Sequence, residues 1–191
     1  LIAPDSRSGA MGDVGVASKP DGSSIHWNAA KLAFIDKRSG FSMSYTPWLS
    51  KLVPDINLAY LSFYKKFDKT QSLGGSLRYF SLGHITFTNA IGENTGEYNP
   101  NEFAFDVAYA RKLSDNLSGG IALRYVRSSL TGGLFVEGLE SKPGQAVATD
   151  VSLYYESDNI KINRHNAQIA FGMNVSNIGS KISYTETGDK D

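Results

Sequence analysis

Three groups of residues in this sequence have types that could carry chemistry: a glycine-rich stretch, a serine close to a histidine, and scattered histidines. The stretch Gly12-Asp13-Val14-Gly15 has the small residues of a phosphate-binding loop. It lacks the preceding strand, the following amphipathic helix and the acidic residue at a set distance along the chain that such a loop requires. Its glycines instead favour tight backbone packing of the N-terminal residues.

The serine and the histidines predict no catalytic or metal chemistry. Ser81 and His84 are a nucleophile and a base of the kind that lipid hydrolases use, but residues three apart on a strand point to opposite faces. His26, His84 and His165 are too scattered for a spaced metal site, and none stands beside a paired acid in the sequence. We therefore expect no enzyme activity, no metal and no cofactor.

Composition excludes several classes of protein. The 191 residues contain 19 Lys and Arg against 19 Asp and Glu, so there is no basic excess for electrostatic capture of nucleic acid. The absence of cysteine excludes disulfides and thiolate metal sites. No apolar stretch approaches the ~20 residues of a membrane-spanning helix. Membrane-spanning strands remain possible, because each needs only ~10 residues and half of those face a polar interior.

The opening residues predict a processed N-terminus. Leu1-Ile2-Ala3-Pro4-Asp5 contains neither an initiator methionine nor a basic and then apolar signal segment. This pattern is typical of a mature chain from which a secretory signal has been removed.

Alternation of residue types predicts an all-β fold, and the segment from Asn101 to Leu130 carries the clearest hairpin. Apolar residues alternate there with small or charged ones on both sides of a Ser114-Asp115-Asn116 turn. In a hairpin symmetric about Asp115, two residues that face each other lie equally far from Asp115 along the chain. The predicted cross-strand pairs are then Val107 with Leu123, Phe105 with Tyr125, and Asp106 with Arg124.

The Asp106–Arg124 pair has two interpretations. Its neighbours on the same face are Ala and Gly, which suits a structural ion pair in the crowded interior of a barrel. The alternative is an ordinary ion pair on a solvated sheet. The polar face is expected to carry charges of both signs that cross-link the interior instead of lining an open pore. They are Arg78, Glu102, Asp106, Arg124, Asp150 and Glu156.

About seven strands are predicted, with connections of two lengths. Apart from the hairpin, alternation covers 39–49, 72–83, 150–156 and 168–175, whereas 55–66 is apolar on both faces and its facing stays open. Short turns are expected near residues 68, 115 and 157, and long loops at 84–100 and 131–146. Short turns at one end and long loops at the other are typical of bacterial outer-membrane barrels, and an odd strand count indicates a chain that stops in mid-barrel.

The N-terminal motifs support a family resemblance. The stretches at 6–17 (SRSGAMGDVGVA) and 24–33 (SIHWNAAKLA) resemble the opening of FadL-like outer-membrane proteins, and more closely that of the PorV (LptO) family of the type IX secretion system. The second stretch departs from the family pattern, because Ala29 stands where proline is usual. The segment 174–184 (NVSNIGSKISY) is similar to a strand-end motif of the same family.

The resemblance implies a fold and a role. It implies a transmembrane antiparallel β-barrel of the FadL type with 14 strands, of which this chain supplies about half. Residues 1–36 would pack at or in the periplasmic mouth, and residues 37–191 would form the N-terminal half of the barrel. PorV-like proteins receive cargo with a C-terminal secretion domain from an outer-membrane translocon and deliver it to a sortase-like attachment protease at the cell surface. Membrane lipid and lipopolysaccharide would surround such a protein.

The two long loops carry the candidate contact residues. A solvated loop is normally polar, yet these contain apolar side chains, which suits contact with partner proteins. Packing of the same residues against each other over the rim explains them equally well. The candidates are Ile91, Tyr98, Leu134, Phe135 and Val136.

A rival function is a FadL-type transporter of hydrophobic small molecules. It requires an apolar pocket inside the barrel and an opening in the wall, for which Gly74-Gly75 and Gly119-Gly120 are the candidate positions. The predicted interior is charged and small, which favours the carrier. Both groups share the fold, so bound fatty acid would identify a transporter and co-purifying proteins would identify a carrier.

Overall fold

The computed structural model describes residues 3–48, 51, 55–89, 91–130, 135–136, 139–163 and 165–184. Two short α-helices and a 3₁₀ helix precede the strands. The helices are α1 Ser6–Ala10, α2 Ser24–Trp27 and the 3₁₀ helix Ala29–Phe34. The strands are β1 Ser39–Pro47, β2 Ile56–Lys66, β3 Gln71–Leu82, β4 Ile85–Thr88, β5 Asn94–Tyr98, β6 Asn101–Lys112, β7 Leu117–Ser129, β8 Phe135–Val136, β9 Leu139–Glu140, β10 Gly144–Glu156, β11 Ile160–Ile162, β12 His165–Ala167 and β13 Ala170–Gly179.

Seven strands form one antiparallel sheet in the order β1-β2-β3-β6-β7-β10-β13, so each main strand pairs with the next main strand along the chain. The all-β prediction is confirmed, and the main sheet has the predicted seven strands. The hairpin of β6 and β7 has the predicted register, with Val107 opposite Leu123 and Phe105 opposite Tyr125. In the described part of the chain the sheet is open, with β1 and β13 as its edges. No helix in that part is long and apolar enough to cross a membrane.

The two faces of the sheet differ in character along every main strand. One face, called the outer face, exposes large apolar side chains because alternate residues of a strand point to the same side. Strand β2, whose facing was open from sequence, follows the same rule: Leu58, Tyr60 and Ser62 are buried on the inner face, while Phe63 is exposed on the outer face. The outer face is formed by Phe41, Met43, Tyr45, Phe63, Leu77, Tyr79, Phe105, Val107, Tyr109, Ile121, Leu123, Val147, Val151, Leu153, Tyr155, Phe171, Met173 and Val175.

The inner face is covered by the N-terminal segment, defined here as the described residues 3–36. Ile25, Leu32 and Ala33 pack with Ala108 and Ala122 of the sheet in one buried cluster. Inward-facing serines on four strands bind the segment's backbone, which satisfies polar groups that would otherwise be buried without partners. These bonds run from Ser62 Oγ to Gly22 O (2.7 Å), from Ser72 Oγ to Leu32 O (2.9 Å), from Ser118 Oγ to Ala30 O (2.7 Å) and from Ala30 N to Ser152 Oγ (3.1 Å).

The connections differ in part from the prediction. Residues 67–70 and 113–116 form short turns at one end of the sheet, called the turn end here. The short turn predicted near residue 157 is wrong, because β11 and β12 form a small hairpin between β10 and β13. The long loop at 84–100 contains the hairpin of β4 and β5. The loop at 131–146 contains β8 and β9, and its last three residues already belong to β10.

Candidate functional site

A buried triad of charges lies on the inner face. Arg124 donates from Nε to Asp106 Oδ1 (2.6 Å), from Nη2 to Asp150 Oδ2 (3.1 Å) and from Nη1 to Asn177 Oδ1 (2.7 Å). Ser76 Oγ donates to the other oxygen of Asp106 at 2.7 Å. The side chain of Asp106 is 0% exposed and that of Arg124 is 6% exposed. The Asp106–Arg124 pair is therefore enclosed, not solvated. The triad consists of Asp106, Arg124 and Asp150 on β6, β7 and β10, and its hydrogen bonds to Ser76 and Asn177 extend it to β3 and β13.

A second polar group connects the N-terminal segment to β3. Arg78 Nη2 lies 2.6 Å from His26 Nδ1. Because the guanidinium is always protonated and can only donate, His26 Nδ1 must accept, and a neutral His26 carries its proton on Nε2. Burial, reinforced by the charge of Arg78, lowers the pKa of His26 to about 3. His26 is thus a neutral tether at ordinary pH, and Tyr60 packs edge-on against its ring at 6.5 Å.

The remaining predicted inner charges bond to neutral groups, which corrects the expectation that all six cross-link. Glu102 accepts from Ser128 Oγ at 2.7 Å. Glu156 accepts from the Tyr154 hydroxyl at 2.9 Å and from Gln168 Nε2 at 3.1 Å. A serine, a tyrosine or an amide satisfies a carboxylate without a cation, which sequence periodicity does not distinguish from an ion pair.

A cavity of about 370 Å³ adjoins both polar groups. Leu58, Phe80, Ala104 and Val126 supply apolar side chains to its wall, and four polar or charged residues also line it. This volume is within the range of small-molecule sites. The polar lining consists of Arg78, Glu102, Arg124 and Asn177.

The predicted contact residues have different surroundings. Ile91, between β4 and β5, is 79% exposed. Tyr98 is half-buried, and its hydroxyl lies 2.7 Å from Ser129 Oγ, which attaches the hairpin to β7. Leu134 lies outside the described residues, and only the backbone of Phe135 and Val136 is described, in β8.

Ser81 and His84, the candidate nucleophile and base, do not form a catalytic pair in the structure. His84 follows the end of β3 instead of lying in it, so the premise that it shares a strand with Ser81 is wrong. Ser81 Oγ donates to the backbone of Asp55 at 3.4 Å. His84 Nε2 lies 3.6 Å from Glu97, a neighbour that the sequence order concealed. In the part of the chain that the structure describes, no three His, Asp or Glu residues are grouped to hold a metal ion.

The glycine-rich stretch contacts a lysine through its last residue, Gly15. Lys31 is fully buried, and its Nζ donates to Gly15 O at 2.8 Å and to Ser18 Oγ at 3.0 Å. A phosphate loop presents N–H groups, whereas Gly15 presents a carbonyl oxygen to a cation. Nothing in the residue spacing marks Lys31 as buried, since lysine is among the residues least often found fully inside.

Neutralising Lys31 should strengthen docking of the N-terminal segment. Burial lowers the pKa of Lys31 to about 8, below the 10.5 that an unburied lysine has. Between these values the undocked state binds more protons than the docked state, so docking should become more favourable as pH rises from about 8 towards 10.5. In a Trp48→Phe background, the emission of Trp27, which lies in the segment, would follow docking during a urea titration.

Lys31→Met is the matched control, because it keeps the length of the side chain and removes the titrating group. The rise in urea midpoint with pH should be smaller in this variant than in the wild type. An equal rise in both proteins would mean that Lys31 does not couple to docking.

Comparison with known proteins identifies the family of the chain. The family model described as Type IX secretion system protein PorV matches residues 1–191, which is the full sequence and includes the triad, the N-terminal segment and the β4–β5 hairpin. No curated protein matches the chain.

Proposed function

Since the chain belongs to the PorV family of type IX secretion system proteins, we propose that it is an outer-membrane carrier of secreted proteins. In this proposal it receives cargo through the cargo's C-terminal domain from the translocon and passes it to a sortase-like attachment protease at the cell surface. It performs no chemistry itself. The observation that carries the proposal is the contrast between an exposed apolar outer face on all the main strands and an inner face on which the N-terminal segment packs.

The outer face supports a position in a membrane. Its large side chains are exposed along β1, β3, β6, β7, β10 and β13 as well as β2, so water would contact an apolar surface of unusual size for a soluble protein. The main strands contain 9 to 13 residues, which is comparable to the ~9–11 that a tilted strand needs to cross a bilayer. A FadL-type barrel of 14 strands would pair the open edges β1 and β13 with further strands and remove both edges.

The N-terminal segment supports a carrier in preference to a channel. Residues 3–36 fill the inner face with apolar contacts, while serine hydroxyls hold their backbone. We propose that they close the periplasmic mouth of the barrel, since Lys66 at the turn end of β2 donates to Ile35 O at 2.7 Å. Secreted protein would then travel outside the barrel, bound at its surface.

The loops opposite the turn end are the proposed contact surface for cargo and translocon. Ile91 stands in the β4–β5 connection with most of its side chain exposed, while Tyr98 anchors the same hairpin to β7. A hairpin that is attached at its base and presents an apolar tip suits an interface in which a few buried anchors provide most of the affinity. Leu134, Phe135 and Val136 of the next loop complete the proposed surface.

Removing the apolar side chains from this surface should weaken capture of partners. The full-length protein with Ile91→Ser, Leu134→Ser and Phe135→Ser should retain at least tenfold less translocon and cargo than the wild type, because each change removes a potential interface anchor. The measurement is purification from the native membrane in mild detergent, with quantitative mass spectrometry of the proteins that co-elute.

Leu113→Ser is the matched control, because Leu113 is 61% exposed but lies in a turn at the other end of the sheet. This variant should retain its partners. Unchanged partner recovery in the triple variant would remove these loops from the proposal, and a wild-type barrel that elutes without secretion components would contradict the carrier function.

The transporter is the second candidate, and the cavity of about 370 Å³ is the observation that favours it. Its apolar residues Leu58, Phe80 and Val126 could surround an acyl chain, with Arg78 beside the acid group. Lipid extraction of the same purified protein separates the two functions. Stoichiometric fatty acid in a barrel without protein partners would establish the transporter.

A further inference from the structure

Cations accumulate at the turn end of the sheet. Five of them, called the basic rim here, are exposed and lie before β1, at the end of β2, in the β2–β3 turn and at the end of β6. Asp36, Asp68 and Asp115 are the acids before β1 and in the β2–β3 and β6–β7 turns. The basic rim consists of Lys37, Arg38, Lys65, Lys69 and Arg111.

The strand pairing brings these cations together. Lys66 N donates to Arg38 O at 2.7 Å, so the residues before β1 lie beside the end of β2. Gln71 pairs with Arg111, and Leu73 pairs with Lys65 on its other side. Adjacent strands are about 4.8 Å apart, so only two strand spacings separate Lys65 from the strand of Arg111.

None of the five cations is neutralised by an ion pair in the described part of the chain. The carboxylate of Asp68 is occupied by its own turn, since it accepts from Thr70 N (2.7 Å), Thr70 Oγ1 (2.8 Å), Gln71 N (2.8 Å) and Gln71 Nε2 (2.9 Å). These hydrogen bonds lower the pKa of Asp68, which stays ionised and directed at its backbone. The basic rim therefore keeps an excess of positive charge.

Two neighbouring lysines have structural partners and are not part of the basic rim. Lys66 donates to Ile35 O at 2.7 Å, and Lys112 Nζ lies 4.3 Å from the ring centre of Phe34. Both hold the end of the N-terminal segment. In the described part of the chain the five rim cations make no such side-chain contact, so they are available to an external anion.

Two rim residues extend the outer face itself. Lys65 follows Phe63 on that face by one step of the strand pleat, and Arg111 follows Tyr109 in the same way. The Tyr109 hydroxyl donates to Gln71 Oε1 at 2.7 Å, so the aromatic ring ends in a polar contact at this level. An apolar face that ends in aromatic and then cationic side chains matches the order of acyl chain, interface and phosphate in a lipid leaflet.

We propose that the basic rim binds the phosphate headgroups of anionic phospholipids in the leaflet that meets the turn end of the barrel. This inference deepens the proposed membrane location and depends on it. If the basic rim bound an acidic protein, its cations would have no need to continue the apolar outer face. Lipid phosphate is the anion that this continuity favours.

The test uses full-length protein in bilayer nanodiscs made of phosphatidylethanolamine and phosphatidylglycerol in equal amounts. Phospholipids that stay bound after transfer to mild detergent are identified by mass spectrometry. Wild-type protein should retain phosphatidylglycerol in excess, and Lys65→Gln with Arg111→Gln should reduce that excess at least fivefold, since one surface cation changes anionic-lipid affinity by about that factor. Addition of 0.5 M NaCl should reduce the wild-type excess as well.

Arg127→Gln is the matched control. Arg127 is exposed on the same outer face of β7, but at the end away from the turns, where it pairs with Phe103. This variant should keep the phosphatidylglycerol excess. Equal retention of the two lipids by wild-type protein, or an excess that survives the loss of Lys65 and Arg111, would overturn the inference.

The membrane location is tested separately by flotation of the same samples with vesicles. Protein that floats but shows no preference for phosphatidylglycerol would overturn the basic rim alone. Protein that does not float would overturn the proposed barrel, and the inference with it.

Discussion

Replacing Arg124 by Met should destabilise the folded full-length protein by about 3–5 kcal/mol, because Asp106 and Asp150 would remain buried without their counter-charge. The side chains of both carboxylates are almost fully enclosed, at 0% and 4% exposure. The measurement is the free energy of unfolding from a urea titration of protein folded in lipid vesicles.

Two further variants separate the charge effect from loss of packing. Arg127→Met changes an exposed arginine of the same strand and should alter the unfolding free energy by less than about 1 kcal/mol. Arg124→Met combined with Asp106→Leu and Asp150→Leu should recover most of the loss, since an apolar set of similar volume replaces buried charges at little cost. A triple variant as unstable as Arg124→Met would show that uncompensated charge is not the cause.

Replacing Gly120 by Ala should release the 3₁₀ helix from the sheet. A Cβ at this position would collide with the backbone of Ala30 and stand 2.8 Å from the carbonyl carbon of Ala29. Backbone atoms cannot rotate aside, so the helix must shift and lose the bonds that Ala30 makes with Ser118 and Ser152. We expect a cost of about 1–3 kcal/mol in docking of the N-terminal segment. Trp27 emission in the Trp48→Phe background would report it as a lower urea midpoint.

The adjacent glycine is the matched control. Gly119 faces the other side of β7, where a Cβ would meet Leu113 Cδ1 at an ordinary 3.5 Å. Gly119→Ala should therefore leave docking unchanged, although it alters strand propensity in the same way. Equal effects of the two substitutions would mean that the strand, and not the contact with the 3₁₀ helix, is sensitive.

The predictions made from sequence were most accurate where only neighbouring strands were involved. A period of two residues assigns the faces of the strands that alternate, although not of β2, whose sequence is apolar on both faces, and the turn at Asp115 sets the register of β6 against β7. From these alone the pairing of Asp106 with Arg124 could be anticipated. The same reasoning failed near residue 157, because β11 and β12 are too short to show a period.

The contacts of the N-terminal segment could not be anticipated in this way. His26 and Arg78 are 52 residues apart, and Asn28 Nδ2 reaches Leu153 O across 125 residues, at 2.8 Å. The inward serines, which hold the segment, were visible in the sequence only as the polar half of each strand. Their partners are backbone carbonyl oxygens and, for Ser152, a backbone N–H, and backbone groups carry no residue identity.

The sequence by itself therefore determined the class of fold, the two faces of the alternating strands and the pairing of β6 with β7, because these depend on local periodicity and turn chemistry. Tertiary structure alone decided that Asp150 and Asn177 join the Asp106–Arg124 pair, that Lys31 is buried, and that a short helix lies against Gly120. The physical reason is that a buried polar group takes whichever partner the packed chain brings within reach, and that partner can be distant in sequence.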